Sequence, residues 1–307
     1  MSNSEHWSDI GEVGFIWGMR FLFFLYRYLG SWAFTVILQP VVLYYFVKHK
    51  VARQSSKEFL RRIHSAKGLE NPSWFDVYQH LLAFSQSIVD KLGVWADSSV
   101  FDPVDFPNRK ILLDQLETGR GAVLLGAHLG NMEVCRGLFR ANRRHKLNVL
   151  VNTKHADMFN KLLKELDLQA DLELIEVSQI SPATAIRLAD CIERGELIAI
   201  LADRVPVGSQ GRSREVQFLG DRALFPDGPF ILASLLKCPI YTIFCTRSDR
   251  GYVIRCERFS DMIRLPRLTR DAALQKYVER FAKVLEENAL RDPLQWFNFY
   301  PFWDKSK

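Results

Sequence analysis

Apolar and polar positions follow three different textures along this chain, and each predicts a different kind of element. From Tyr28 to Val47 run twenty residues without a formal charge, YLGSWAFTVILQPVVLYYFV, between Arg27 and Lys48. A helix of that length can cross the hydrocarbon core of a bilayer. Upstream, VGFIWGMRFLFFLYR is nearly as apolar, interrupted by Arg20 and Arg27, which share one helical face. Pro40 would kink a spanning helix, so a spanning anchor and a helix lying in the interface both fit. Residues 52–118 mix charged and apolar positions at helical spacing and predict a few helices, broken at Asn71-Pro72 and Asp102-Pro103.

The third texture begins at Gly121. Short apolar runs at 122–127, 147–152, 172–177, 197–202, 240–245 and 252–257 predict strands. Amphipathic stretches at 132–143, 156–168, 182–194, 229–237 and 270–290 predict helices. Strands alternating with helices imply an α/β fold with a central mixed, largely parallel sheet flanked by helices. The near-continuous hydrophobicity of the runs says that both faces of that sheet are covered. Neither repeats nor a Gly/Ser linker divides the chain. The expected organisation is therefore an N-terminal membrane-associated helical segment (1–50), a helical segment (51–118) and an α/β domain (119–307).

Charge sharpens the picture. The formal net charge is +6, which suits an acidic partner such as anionic head groups or an acidic carrier protein. Nucleic acid is not expected, because no zinc-finger, helix-turn-helix or RNA-binding signature occurs. Glu5, Asp9 and Glu12 precede the apolar segment, whereas Lys48, Lys50, Arg53, Lys57, Arg61 and Arg62 follow it with only Glu58 among them. Positive charge stays inside, so the body is expected on the cytoplasmic side. An acidic extreme N-terminus without a small-residue cleavage site argues against a cleaved signal peptide. The five cysteines, Cys135, Cys191, Cys238, Cys245 and Cys256, are odd in number and mostly sit in apolar runs. They predict buried thiols of a reducing compartment rather than disulfides or a zinc site.

The candidate chemistry follows the first strand, in GAHLGNMEVCRGL (126–138). In open α/β sheets the site lies beyond the carboxyl ends of the strands, where His128 stands. Four residues lie between His128 and Glu133, which puts the two about 140° apart on a regular helix, so the pair meets only if His128 lies on the strand-to-helix turn. Gly130 and Asn131 permit such a turn, and backbone N–H groups there would offer a substrate-binding oxyanion hole. Glu133 would then hold the imidazole in one tautomer. No G-x-S-x-G elbow is present, and no serine stands beside the motif. The simplest chemistry has no protein nucleophile: His128 deprotonates a substrate hydroxyl, which attacks an acyl carbonyl directly.

GAHLGNME after a strand, behind an apolar N-terminal segment, resembles the lysophospholipid acyltransferase superfamily, and most of all the bacterial lipid A late acyltransferases of lauroyl/myristoyl type. The resemblance implies that His128 and Glu133 form the catalytic dyad. It also implies substrate-binding roles in two later blocks. LADRVPVGSQGR (201–212) supplies Asp203 and Arg204, and VQFLGDRALFPDGPFILAS (216–234) supplies Phe225, Pro226, Asp227 and Gly228. Arg136, Arg140, Arg143 and Arg144 form a basic surface that would dock an acidic acyl carrier protein as thioester donor, and acyl-CoA suits it equally. No metal or other cofactor is implied. The expected location is the bacterial inner membrane. The chain departs from the family after Gln295-Trp296, where FNFYPFW replaces a basic tail, and at Arg204, where Gln is common. The acceptor therefore stays open among a lipid A precursor, a related glycolipid, an aryl-polyene-type lipid and a glycerolipid. A membrane-tethered lipid-binding protein is the non-enzymatic alternative. The apolar N-terminal segment and aromatic tail are expected to line an acyl-chain groove.

Overall fold

The computed structural model describes residues 36, 38–96, 104–135, 146–151, 173–176, 182–206 and 212–303. Residues 38–48 are helical, followed by α1 (Lys50–Ala66) and α2 (Trp74–Ala96). The break between these two helices falls where Asn71-Pro72 predicts it. Gly68, with φ +67°, ends α1. Its N–H donates to Ser65 and that of Leu69 to His64, the paired reverse bonds of a Schellman cap. Ser73 then opens α2 by exchanging bonds with Asp76: the Ser73 N–H reaches the carboxylate at 2.7 Å, and the Asp76 N–H reaches Ser73 Oγ at 3.2 Å.

The chain continues through β1 (Val104–Asp105), α3 (Arg109–Glu117), β2 (Ala122–Gly126), β3 (Leu147–Val151) and β4 (Glu173–Glu176). After them come α4 (Pro182–Glu193), β5 (Leu197–Leu201), β6 (Ser213–Phe218), β7 (Asp221–Pro226), α5 (Gly228–Leu236), β8 (Ile240–Ser248), β9 (Gly251–Ser260) and α6 (Arg270–Arg291). Seven strands form one sheet in the order β1-β9-β8-β2-β5-β3-β4, and the β8–β9 pair is its antiparallel join. This is the expected mixed, mostly parallel sheet flanked by helices. All six predicted strand runs are strands, and the helices expected at 182–194, 229–237 and 270–290 lie within a residue of prediction. The helix expected at 132–143 starts at Met132 and is described to Cys135; the one expected at 156–168 lies outside the described residues.

Burial explains the texture of the strands. All five residues of β2 are buried, with Val123 and Leu125 in one core and Ala122 and Leu124 in the other. The larger core also takes Leu274, Val278, Phe281, Leu285 and Ala289 of α6, a stripe at helical spacing. All five cysteines are buried and free.

Two features depart from expectation. β6 and β7 form a separate antiparallel hairpin, closed by the two-residue loop Leu219-Gly220 with φ +50° and +80°. That is the conformation of a type I′ turn, but a leucine stands where such turns favour Asn or Asp, so the hairpin gave no turn signal. Much of the aromatic tail is core: Trp296, Phe302 and Trp303 belong to it, with Trp296 packed against Phe218 at 5.2 Å and Phe302 at 4.8 Å between ring centroids, while Pro301 and Trp303 also line a cavity beside Val51 and Ser55 of α1. Among the described residues no helix is long and apolar enough to cross a membrane; residues 28–35 and 37 of the expected anchor lie outside them.

Candidate active site

β2 and β5 are parallel neighbours in register, Gly126 opposite Leu201. Two residues beyond each end stand His128 and Asp203, so the ladder itself delivers the two side chains to one point. His128 Nδ1 lies 2.8 Å from Asp203 Oδ1, and the His128 backbone N–H donates to Oδ2 at 3.0 Å. Two further donors reach Oδ2, Trp296 Nε1 and Asn298 Nδ2, each at 3.0 Å. Asp203 is fully buried, whereas the His128 side chain is 27% exposed. An ionised carboxylate only accepts, so Nδ1 carries the proton and Nε2 presents a lone pair.

Electrostatics keep the pair in that state. Burial alone would raise the Asp203 carboxyl, but the charge and hydrogen bonds of His128, with Arg204 beside it, outweigh burial and hold it well below the usual carboxylate range. For His128, burial lowers the pKa and Arg204 adds to that, while Asp203 pulls the other way; the net direction is down. The resting imidazole is thus neutral near pH 7, as a general base must be.

The loop carrying His128 is held on two sides. On one, the segment after α6 runs beside it: the Gly130 N–H donates to Gln295 O and the Phe297 N–H to His128 O, both at 2.8 Å. On the other, the Asn131 N–H donates to the Cys245 carbonyl of β8 at 2.7 Å. Gly130 sits at φ +74°, and a Cβ there would lie 1.9 Å from Cys245 O, so only glycine fits. Asn131 is the N-cap of the next helix, its Oδ1 accepting the Glu133 N–H at 3.2 Å while its Nδ2 donates to Ser87 O at 3.1 Å.

These contacts revise several expected roles. The nitrogen assigned to Glu133 is taken by Asp203, because adjacent strand ends approach more closely than a turn and the following helix. Glu133 lies in the first turn of that helix. Gly130 and Asn131 spend their N–H groups on carbonyls, so neither supplies an oxyanion hole; both build the loop. Arg204 pairs with the tail, through Nε to Asn298 Oδ1 and through its terminal nitrogen to Phe297 O at 2.7 Å, instead of reaching for an acceptor. Phe225 and Pro226 are buried in the core, Phe225 against Phe218 at 5.4 Å, and show no side chain to a ligand. Asp227 pairs with Arg214 at 3.0 Å, and Gly228 opens α5. Arg136, Arg140, Arg143 and Arg144 lie outside the described residues. Among the described residues no cluster of His, Cys, Asp or Glu is arranged to hold a metal.

Trp296 and Asn298 escaped the reading of the sequence. A Trp-x-Asn pair in an aromatic tail has no spacing that points at an aspartate 93 and 95 residues earlier.

A basic imidazole at a strand end, a buried carboxylate behind it and, among the described residues, no nucleophile hydrogen-bonded to that imidazole fit acyl transfer directly between substrates. The model of the bacterial lipid A biosynthesis acyltransferases matches residues 81–305, a span that contains His128, Asp203 and the tail. The chain belongs to that family. No curated protein matches it as a relative. In this acyltransferase two neighbouring strand ends bring His128 and Asp203 together, with Trp296 and Asn298 of the C-terminal tail bonded to the same carboxylate.

Proposed function

We propose that this acyltransferase moves a fatty acyl chain from an acyl-carrier-protein thioester to a hydroxyl of a lipid A precursor or related glycolipid at a membrane surface, with His128 as general base. The observation that carries the reading is the tautomer: Nδ1 is committed to Asp203, so Nε2 is free to take a proton. His128 removes the acceptor hydroxyl proton as the oxygen attacks the thioester carbonyl. The tetrahedral intermediate collapses with loss of the thiolate, and the imidazolium returns the proton to sulfur. Asp203 holds the ring and balances the imidazolium. Nδ1 is already held by Asp203, so any part Glu133 takes in the reaction is played from the first turn of the following helix and not through that nitrogen.

Membrane contact rests on a concentration of exposed apolar side chains. Of the fourteen large ones among the described residues, ten lie between Val36 and Phe75, including Tyr44, Tyr45, Trp74 and Phe75. Lys48, Lys50 and Lys57 stand beside them. Aromatic rings next to basic residues suit the head-group region of an anionic leaflet, and the carrier protein would dock on Arg136, Arg140, Arg143 and Arg144.

The deciding experiment is mass spectrometry of total lipids from cells lacking the protein, complemented with wild type or His128→Ala. Lipid A lighter by one acyl chain, restored by wild type alone, is the expected result. Unchanged lipid A with another lipid under-acylated would replace the acceptor and keep the chemistry.

A further inference from the structure

We propose that His80, on α2 and outside the active site, is a positioning residue for the His128–Asp203 pair and acts through the backbone of Trp296. The inference rests on the reading of His128 as general base.

His80 is fully buried among Phe59, Phe297 and Phe299, whose ring centroids lie 5.4, 6.2 and 4.9 Å away. Its Nε2 is 3.0 Å from the Trp296 carbonyl, and its Nδ1 is 2.9 Å from Ser56 Oγ. A carbonyl only accepts, so Nε2 carries the proton. Burial keeps the ring neutral by pushing its pKa down to about 4, partly opposed by the bond to Trp296. Nδ1 then accepts from the Ser56 hydroxyl, and both ring nitrogens are committed.

A leucine or phenylalanine would fill this space with no polar group to desolvate. What histidine adds is one directed bond to one carbonyl. That carbonyl belongs to the residue whose indole N–H holds Asp203. It also accepts the Asn298 N–H at 3.1 Å, and the Asn298 side chain is another donor to Asp203. The next residue, Phe297, gives its N–H to the His128 carbonyl. Moving the Trp296 carbonyl therefore moves two donors of the catalytic carboxylate and one clamp of the catalytic loop. Ser56, Phe59 and His80 precede the stretch matched to the family, so this support comes from the N-terminal helices.

The test uses the full chain with His80→Leu and His80→Gln, the latter keeping an N–H that can reach the Trp296 carbonyl. His80→Leu should lower kcat by about 10- to 100-fold, the scale on which small displacements of catalytic groups act. KM should change little, and the down-field Nδ1–H proton resonance of His128 should weaken or shift. His80→Gln should recover most of both. Wild-type kcat and an unmoved resonance in His80→Leu would overturn the proposal, and so would a Gln variant no better than Leu. Should His80→Leu not fold, Ser56→Ala carries the test: it should reduce kcat in the same pattern, and an unchanged kcat and resonance would overturn the proposal. His128→Ala separates the two levels. Full activity in that variant removes the general-base reading itself, whereas an inactive His128→Ala beside a wild-type-like His80→Leu removes only the positioning role.

Discussion

Asp203 accepts four hydrogen bonds while wholly shielded from water, and it raises the pKa of a histidine that burial and Arg204 push down. The Asp203→Asn substitution therefore has two separable effects. It removes the acceptor that fixes the tautomer, which should cost about 10²–10⁴-fold in kcat. It also removes the one charge that raises His128, so the acid limb of the pH–rate profile should move to lower pH. Glu133→Gln should slow the reaction without moving that limb, and a displaced limb would return Glu133 to the imidazole. His80 makes a different prediction. Its pKa falls from 6.5 in the unfolded chain to about 4 when folded. Its stabilising contribution is then complete above about pH 6.5 and is lost as pH drops towards 4, up to about 3 kcal/mol. Denaturant midpoints between pH 7 and 4 should fall less steeply for His80→Gln than for wild type. Among single residues, His128 was legible because a histidine just past an apolar strand is a local signal. The Asp203 pairing was not, because it depends on which strands are neighbours, and β5 follows β2 by some seventy residues of chain.

At the scale of elements, the loop carrying His128 is an inserted strand in miniature, stitched to β8 on one side and to the tail on the other. That geometry makes Gly130→Ala a severe change. A Cβ at φ +74° costs about 1–2 kcal/mol by itself, and the contact 1.9 Å from Cys245 O forces loop and strand apart. The variant should lose about 100-fold in kcat along with several degrees of melting temperature; melting with wild-type kcat retained would mean the loop tolerates the shift. Elements with a strong period were readable. The β2 run and the α6 stripe each answer to a core that their own residues specify. The β6–β7 hairpin was hidden, since its turn holds a buried leucine at positive φ and its strands pair only with each other. The tail was hidden for a related reason: its rings looked like a lipid-facing surface, and only the packing around Trp296 makes them core.

For the whole molecule, the exposed apolar face and the active site draw on the same N-terminal helices. The helical residues 38–48 pack on α2 through Val42 with Leu81 and Leu82, leaving Leu43, Tyr44 and Tyr45 outward. At the start of α2, Trp74 is 69% exposed and Phe75 51%, with Leu69 at 57% on the preceding turn. α2 also carries His80, whose bond to the Trp296 carbonyl links these helices to the tail and, through the Trp296 indole, to Asp203. If this face meets lipid, replacing Trp74 and Phe75 together by serine removes two aromatic side chains from the interface. At about 0.7 kcal/mol or more for each, binding of the full chain to anionic vesicles should fall by about tenfold. Activity on a detergent-dispersed acceptor should stay near wild type, because neither residue touches the His128 loop or the tail. Undiminished vesicle binding would mean that residues before Val36 carry the whole attachment. Equal losses in vesicles and detergent would instead mean that the face supports the fold of α2.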